Sequence, residues 1–219
     1  MPNNDFLLKW DEIGERKYQT GVDRVVLFPI TGNEYGKGIA WSGVSKINET
    51  PDGGEPTKIY ADNLLYLTMY SLETLGGTIT AYQSPEEFDE CDGTAEVASG
   101  VKVAQQPRKS FGLAYRTQIG NDTEGTDYGY TLHLLYGCMA KPTAKEFGTI
   151  NDSPEAAELS WEFTSTPVSV SGKKPTSLLT IDSTTADPDK LAALEAILYG
   201  TGNTDARMPL PDEVIDLFD

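Results

Sequence analysis

A chain of 219 residues, 38% hydrophobic and 23% charged, carries enough apolar side chains for one large β domain or two small ones without a disulfide or metal staple. Its 34 acidic residues against 17 basic ones give a formal net charge of −17. That balance disfavours a direct grip on nucleic acid, because phosphate binders displace counterions with clustered Lys and Arg. The only adjacent basic pairs are Arg16-Lys17, Arg108-Lys109 and Lys173-Lys174.

The first ten residues lack the basic-then-apolar pattern of a signal peptide, and no apolar run approaches the roughly 18 residues of a membrane span. Cys91 and Cys138 sit in no metal or redox spacing, so two reduced thiols are expected. Residues 1–20 read as a polar N-terminal arm. A first strand is expected over 24–30. Beyond it, turn signals at Asn33 to Gly36 and at Asp52-Gly53-Gly54 bracket one short strand over 38–47. This pattern predicts a long projecting hairpin over 31–57, with Asn33, Tyr35, Trp41, Glu49 and Glu55 as candidate contact residues.

A strand over 75–83 follows. Ser84-Pro85-Glu86-Glu87 has the spacing of a capping box and opens a short helix that stops by Gly93. Phe111, Leu113, Tyr115, Thr117 and Ile119 then share one face, with Arg116 and Gln118 on the other. After a turn at Gly120 to Gly125, Tyr128, Tyr130, Leu132, Leu134, Tyr136 and Cys138 form a second stripe opposite Gly129, Thr131, His133 and Gly137. A period of two marks half-buried antiparallel strands. Asp152-Ser153-Pro154 reads as one helical turn in a loop. Trp161 and Phe163 alternate with Ser160, Glu162 and Thr164, and a last strand is expected over 176–182, after the turn at Gly172 to Pro175. Asp187-Pro188 opens a helix whose Leu191, Leu194, Ile197 and Leu198 predict packing on a sheet, with Gly200 as its stop. Residues 201–219 read as a polar, Pro-interrupted extension outside the core.

No pattern of catalytic residues emerges. The single histidine, His133, excludes paired-histidine metal sites and is expected to be a hydrogen-bonded structural residue. Gly32 to Gly38 resembles a phosphate-binding loop one residue short and without the final hydroxyl, so a hairpin turn explains its glycines better. Asn121 to Asp127 lacks the glutamate of a calcium loop. No G-x-S-x-G elbow is present. No catalytic, cofactor-binding or metal-binding residue is assigned. Among 34 carboxylates a glycosidase pair can hide, so a β-sandwich carbohydrate-binding module or glycosidase stands as the alternative reading.

A set of short motifs runs in order through residues 21–200. It begins with Gly21-Val22-Asp23, then Tyr60-Ala61-Asp62-Asn63 ahead of 64–70, then Gly76-Gly77-Thr78-Ile79 and Pro85-Glu86-Glu87-Phe88. Arg108-Lys109-Ser110-Phe111-Gly112-Leu113-Ala114-Tyr115-Arg116-Thr117 and Gly129-Tyr130-Thr131-Leu132-His133-Leu134-Leu135-Tyr136-Gly137 follow. Thr149-Ile150-Asn151-Asp152-Ser153 and the apolar stripe 191–198 before Tyr199-Gly200 close the set. In these the chain resembles the major tail proteins of long, non-contractile-tailed bacteriophages, which polymerise into the tail tube.

The resemblance implies a mainly β fold of two packed antiparallel sheets, a β-sandwich or partial barrel, with a flanking helix. It implies one tail-tube domain over 21–200, between an arm at 1–20 and an extension at 201–219. It further implies hexameric rings of the chain itself, stacked into a tube with other tail proteins at its ends. DNA would transit the lumen without specific binding, and no cofactor or membrane would take part. The site would be the virion tail, assembled in the host bacterial cytoplasm. Strand alternation nominates Glu162, Thr164 and Thr166 as lumen-facing, and the chain's acidity suits a wall that repels phosphate.

Overall fold

The computed structural model describes residues 8–149, 152 and 156–219. The helical turn expected at Asp152-Ser153-Pro154 falls largely outside them. In chain order the elements begin with β1 (Tyr18–Thr31), β2 (Glu34–Tyr35), β3 (Ile39–Ala40) and β4 (Val44–Asp52). Next come β5 (Pro56–Ala61), β6 (Leu64–Tyr70), β7 (Thr74–Ala81), a 3-10 turn (Glu86–Phe88) and α1 (Asp89–Asp92). The rest are β8 (Ala95–Ala98), β9 (Val101–Val103), β10 (Phe111–Asn121), β11 (Gly125–Ala140), β12 (Leu159–Ser165), β13 (Leu178–Asp182), α2 (Pro188–Tyr199) and α3 (Pro211–Phe218).

The run Val25-Val26-Leu27-Phe28 in β1 is apolar at every position, so both of its faces need cover. That requirement sets the architecture. Val25 and Leu27 enter one core, and Val26 and Phe28 enter a second on the opposite side of the strand. Among the described residues, nine strands join in one open antiparallel sheet ordered β2-β1-β10-β11-β12-β7-β4, with β3 also on β1 and β13 also on β11. β5–β6 and β8–β9 are separate two-stranded sheets.

The large sheet folds over because β11 serves both halves. Its residues 131–135 pair with β13, while 138–140 pair with β12. Between them the register slips from Leu113↔Leu135 to Phe111↔Cys138, and Gly137 stands there at φ +58°. A bulge of this kind bends its strand and reverses the alternation beyond it. Leu132, Leu134 and Tyr136 therefore face one core, while Leu135, Cys138 and Ala140 face the other. The stripe expected to run unbroken from Tyr128 to Cys138 ends at Tyr136 for this reason.

The first core lies where the folded-over halves meet. Leu27, Phe111, Leu113 and Tyr115 pack with Ile79, Trp161 and Phe163. Trp41 and Phe88 plug one end, with ring centroids 4.5 Å apart and Phe88 5.4 Å from Trp161. The second core is covered by helices. Leu191, Leu194 and Leu198 of α2 seat on Val26, Phe28, Leu132, Leu134 and Tyr136, with Ile197 half-buried at the margin. The Asp187 carboxylate caps α2 by accepting the amides of Asp189 and Lys190, with Pro188 opening the first turn.

Two expectations change. Residues 201–219 are not outside the core: Met208 and Val214 are buried in the second core, and Tyr136 donates its hydroxyl to the Pro209 carbonyl at 3.1 Å. The capping box at Ser84 does not form either. Pro85 occupies the N-cap, so Ser84 lies one residue too early to reach the free amides, and the segment starts as a 3-10 turn. Gly93, left-handed at φ +77°, stops α1 as expected.

Candidate assembly surfaces

Two apolar runs flank Asp62-Asn63, and both turn residues have positive φ, +51° and +61°. Two central residues of that hand match the right-handed twist of the flanking strands, which is why a two-residue turn closes β5 onto β6. Neither strand joins the large sheet. Ile59, Tyr60, Leu64, Leu65, Tyr66, Leu67, Met69 and Tyr70 are all exposed, Leu64 and Tyr66 at 71% each. Clustered exposed apolar surface of this kind marks a contact with a protein, a membrane or a ligand. A lone two-stranded hairpin is also marginally stable in water unless something packs on it.

The projecting element is thus residues 56–70, one element later than expected. The 31–57 segment is not one hairpin, because β4 crosses over to pair with β7 along its whole length. Of the five candidates there, Asn33 is exposed in a turn and Glu55 is exposed in the link between β4 and β5. Tyr35 is partly buried: its ring lies edge-on to Tyr136 at 6.3 Å, its hydroxyl accepts the Gly137 amide, and burial raises its pKa. Trp41 is 3% exposed and donates its ring N–H to the Gln83 carbonyl at 2.7 Å. Glu49 points into the body of the protein.

Glu49 is the centre of a polar tie. Its Oε1 accepts from the Tyr115 hydroxyl and lies 3.0 Å from His133 Nδ1, while His133 Nε2 lies 2.9 Å from Thr117 Oγ1. The imidazole stacks flat on Tyr115, 4.6 Å between centroids and 6° from parallel. The hydrogen bond from His133 is the main cause holding the Glu49 carboxyl below its usual range, and the Tyr115 hydroxyl adds to it. Hydroxyl, imidazole and carboxylate here follow the order of a proton relay. Glu49 also lines a cavity of about 280 Å³, and through Tyr115 and His133 its carboxylate joins β4 to β10 and β11. His133 is hydrogen-bonded through both ring nitrogens, as expected.

The outer face of β4, β7, β12 and the end of β11 is flat and polar. Register aligns Lys46 with Thr80 and Ser160, Asn48 with Thr78 and Glu162, and Thr50 with Gly76, Thr164 and Met139. Glu162 and Thr164 stand exposed on this face, and Thr166 is exposed just beyond β12, its amide bonded to the Gly137 carbonyl. Within the paired rows the charged residues are Lys46, Asp52 and Glu162, and Lys141 and Glu158 flank them, so the face is weakly charged although the chain is not.

Other polar groups hold the fold together. Arg116 donates to both oxygens of Asp23 at 2.8 Å and lies over the Tyr130 ring. In the β10–β11 turn, Asn121 accepts the amides of Thr123 and Glu124, and Asp122 accepts that of Gly14. Cys91 and Cys138 are buried and unbridged, and burial pushes the Cys91 thiol up to about 12. Among the described residues, no cluster of three or more potential metal ligands occurs, and no helix is long and apolar enough to cross a membrane. Sequence reasoning passed over the hairpin, although Asp62-Asn63 between apolar runs is a turn signal. No family model matches the chain, and no match was found among curated proteins.

Proposed function

We propose that the chain is the structural subunit of a long-tailed phage tail tube, closing into hexameric rings that stack around a channel for DNA. The observation that carries this reading is the exposed apolar hairpin 56–70 on an otherwise acidic chain. Such a surface favours self-association, and its near-neutral composition avoids the repulsion that two chains of −17 would otherwise meet. The open sheet supports the same reading, because unpaired strand edges call for cover by a neighbour.

The flat face bearing Glu162 and Thr164 is the channel wall in this proposal, with Thr166 at its margin. Small hydroxyls and few basic residues give phosphates little to grip, so passage rests on weak contact. For the carbohydrate-binding alternative, Trp41 and Trp161 are packed in the core, whereas Trp10, Tyr60, Tyr66 and Tyr70 are exposed and give that reading its one observation. Negative-stain electron microscopy of the purified full-length chain tests the proposal. Hollow tubes with a regular axial repeat are expected, and particles that stay monomeric and globular at every concentration would overturn it.

A further inference from the structure

β7 has two ends, and different apolar surfaces attach to each. Hairpin 56–70 leaves from the end where Asp52 pairs with Thr74. Beyond Ala81, at the other end, come the 3-10 turn, α1 and the small sheet β8–β9. That sheet exposes Val97, Val101 and Val103. Beside it lies a groove of about 630 Å³, lined by Pro29, Ile39, Glu86, Glu87 and Glu96 and by Lys37, which is paired with Asp205.

We propose that hairpin 56–70 of one copy seats on β8–β9 and the adjoining groove of a second copy, making this the receptor for the hairpin. The inference rests on the self-assembly reading above and names the partner surface within it. Two complementary surfaces at opposite ends of one sheet make a head-to-tail contact, which repeats from copy to copy without using itself up. The chemistry also matches. Valines on β8–β9 meet a hairpin whose exposed side chains are mostly apolar, so both lose water-exposed apolar area.

Charge selects the same occupant. Asp89, Glu90 and Asp92 near the groove are already paired with Lys102, Lys109 and Lys145. Glu86, Glu87 and Glu96 have no ion-pair partner among the described residues. An acidic surface is repelled there. The hairpin carries one acid, Asp62, and one base, Lys58, so it approaches without that penalty.

Cysteine cross-linking in the full chain tests the contact. Ala61 at the hairpin tip and Val101 on β9 are both exposed, and the two native thiols are buried. Ala61→Cys and Val101→Cys in one chain, assembled and mildly oxidised, should give a ladder of covalent multimers, whereas either single variant should not. Val101→Asp, with an unchanged thermal midpoint, should raise the concentration needed for assembly at least tenfold. If tubes form but no ladder appears and Val101→Asp assembles at wild-type concentrations, the receptor assignment is overturned while the tube reading stands. If the wild-type chain never associates, both are overturned.

Discussion

Glu49 on β4 and His133 on β11 meet at 3.0 Å, although 84 residues separate them in the chain. The contact spans the two halves of the folded sheet and is reinforced by Tyr115 from β10. β4 is an edge strand that leads directly into hairpin 56–70, so this tie also anchors the root of the arm. A hydrogen bond to a charged group contributes about 1.5–3 kcal/mol. Glu49→Gln is therefore expected to lower stability near neutral pH by about that amount, measured by denaturant unfolding. A loss near zero would show that β4 is held by backbone pairing and apolar packing alone.

The same carboxylate predicts a pH dependence. Its folded pKa is depressed below the ordinary value of 4.5, so its stabilisation is fully present above that value and is lost as pH falls through the folded pKa. The difference in stability between wild type and Glu49→Gln should hold from pH 7 to about 5 and shrink below about pH 4. A difference that grows on acidification would reverse the assigned sign.

Leu194 of α2 is fully buried in the second core. Leu194→Ala should cost about 2–5 kcal/mol through lost transfer energy and the cavity left behind. Urea unfolding of the variant checks this, and a cost below about half a kilocalorie would place the helix outside the cooperative core.

Gly137 is needed at the bulge for two reasons. Its φ of +58° is rare for L side chains, and a Cβ there would collide with the Thr166 carbonyl oxygen. Gly137→Ala should destabilise the fold by at least about 1–3 kcal/mol. The same unfolding assay reads it; an unchanged midpoint would mean that the bulge relaxes freely.

The elements most legible in the sequence were those whose period survives along the whole strand or helix. β10 sends Phe111, Leu113 and Tyr115 to one core as its apolar period suggests, and α2 shows its Leu191, Leu194 and Leu198 stripe between a cap and a stop. Legibility failed where a single residue changes the geometry. At Gly137 one left-handed residue moves Cys138 to the opposite face, and nothing in an apolar run announces that. α3 was hidden because Pro209 and Pro211 read as interruptions, whereas Pro211 opens the first turn of a helix too short to display a clear period. The arm was misplaced for a third reason: Gly-rich turns at Gly32 and Asp52 outshone the quieter Asp62-Asn63 turn. β4 joins the sheet through β7, a partner more than twenty residues away, which local patterning does not reveal.

In the proposed tube, hairpin 56–70 drives self-association and contributes little to the fold of one subunit. The direct measurement is to replace residues 57–69 with a short Gly-Ser turn, then determine both the thermal midpoint and tube formation by electron microscopy. A midpoint close to wild type is expected, because among the described residues neither hairpin strand joins the large sheet and its apolar side chains are exposed, together with complete loss of tubes. Tubes growing at wild-type concentrations from the shortened chain would show that the hairpin is not the assembling element.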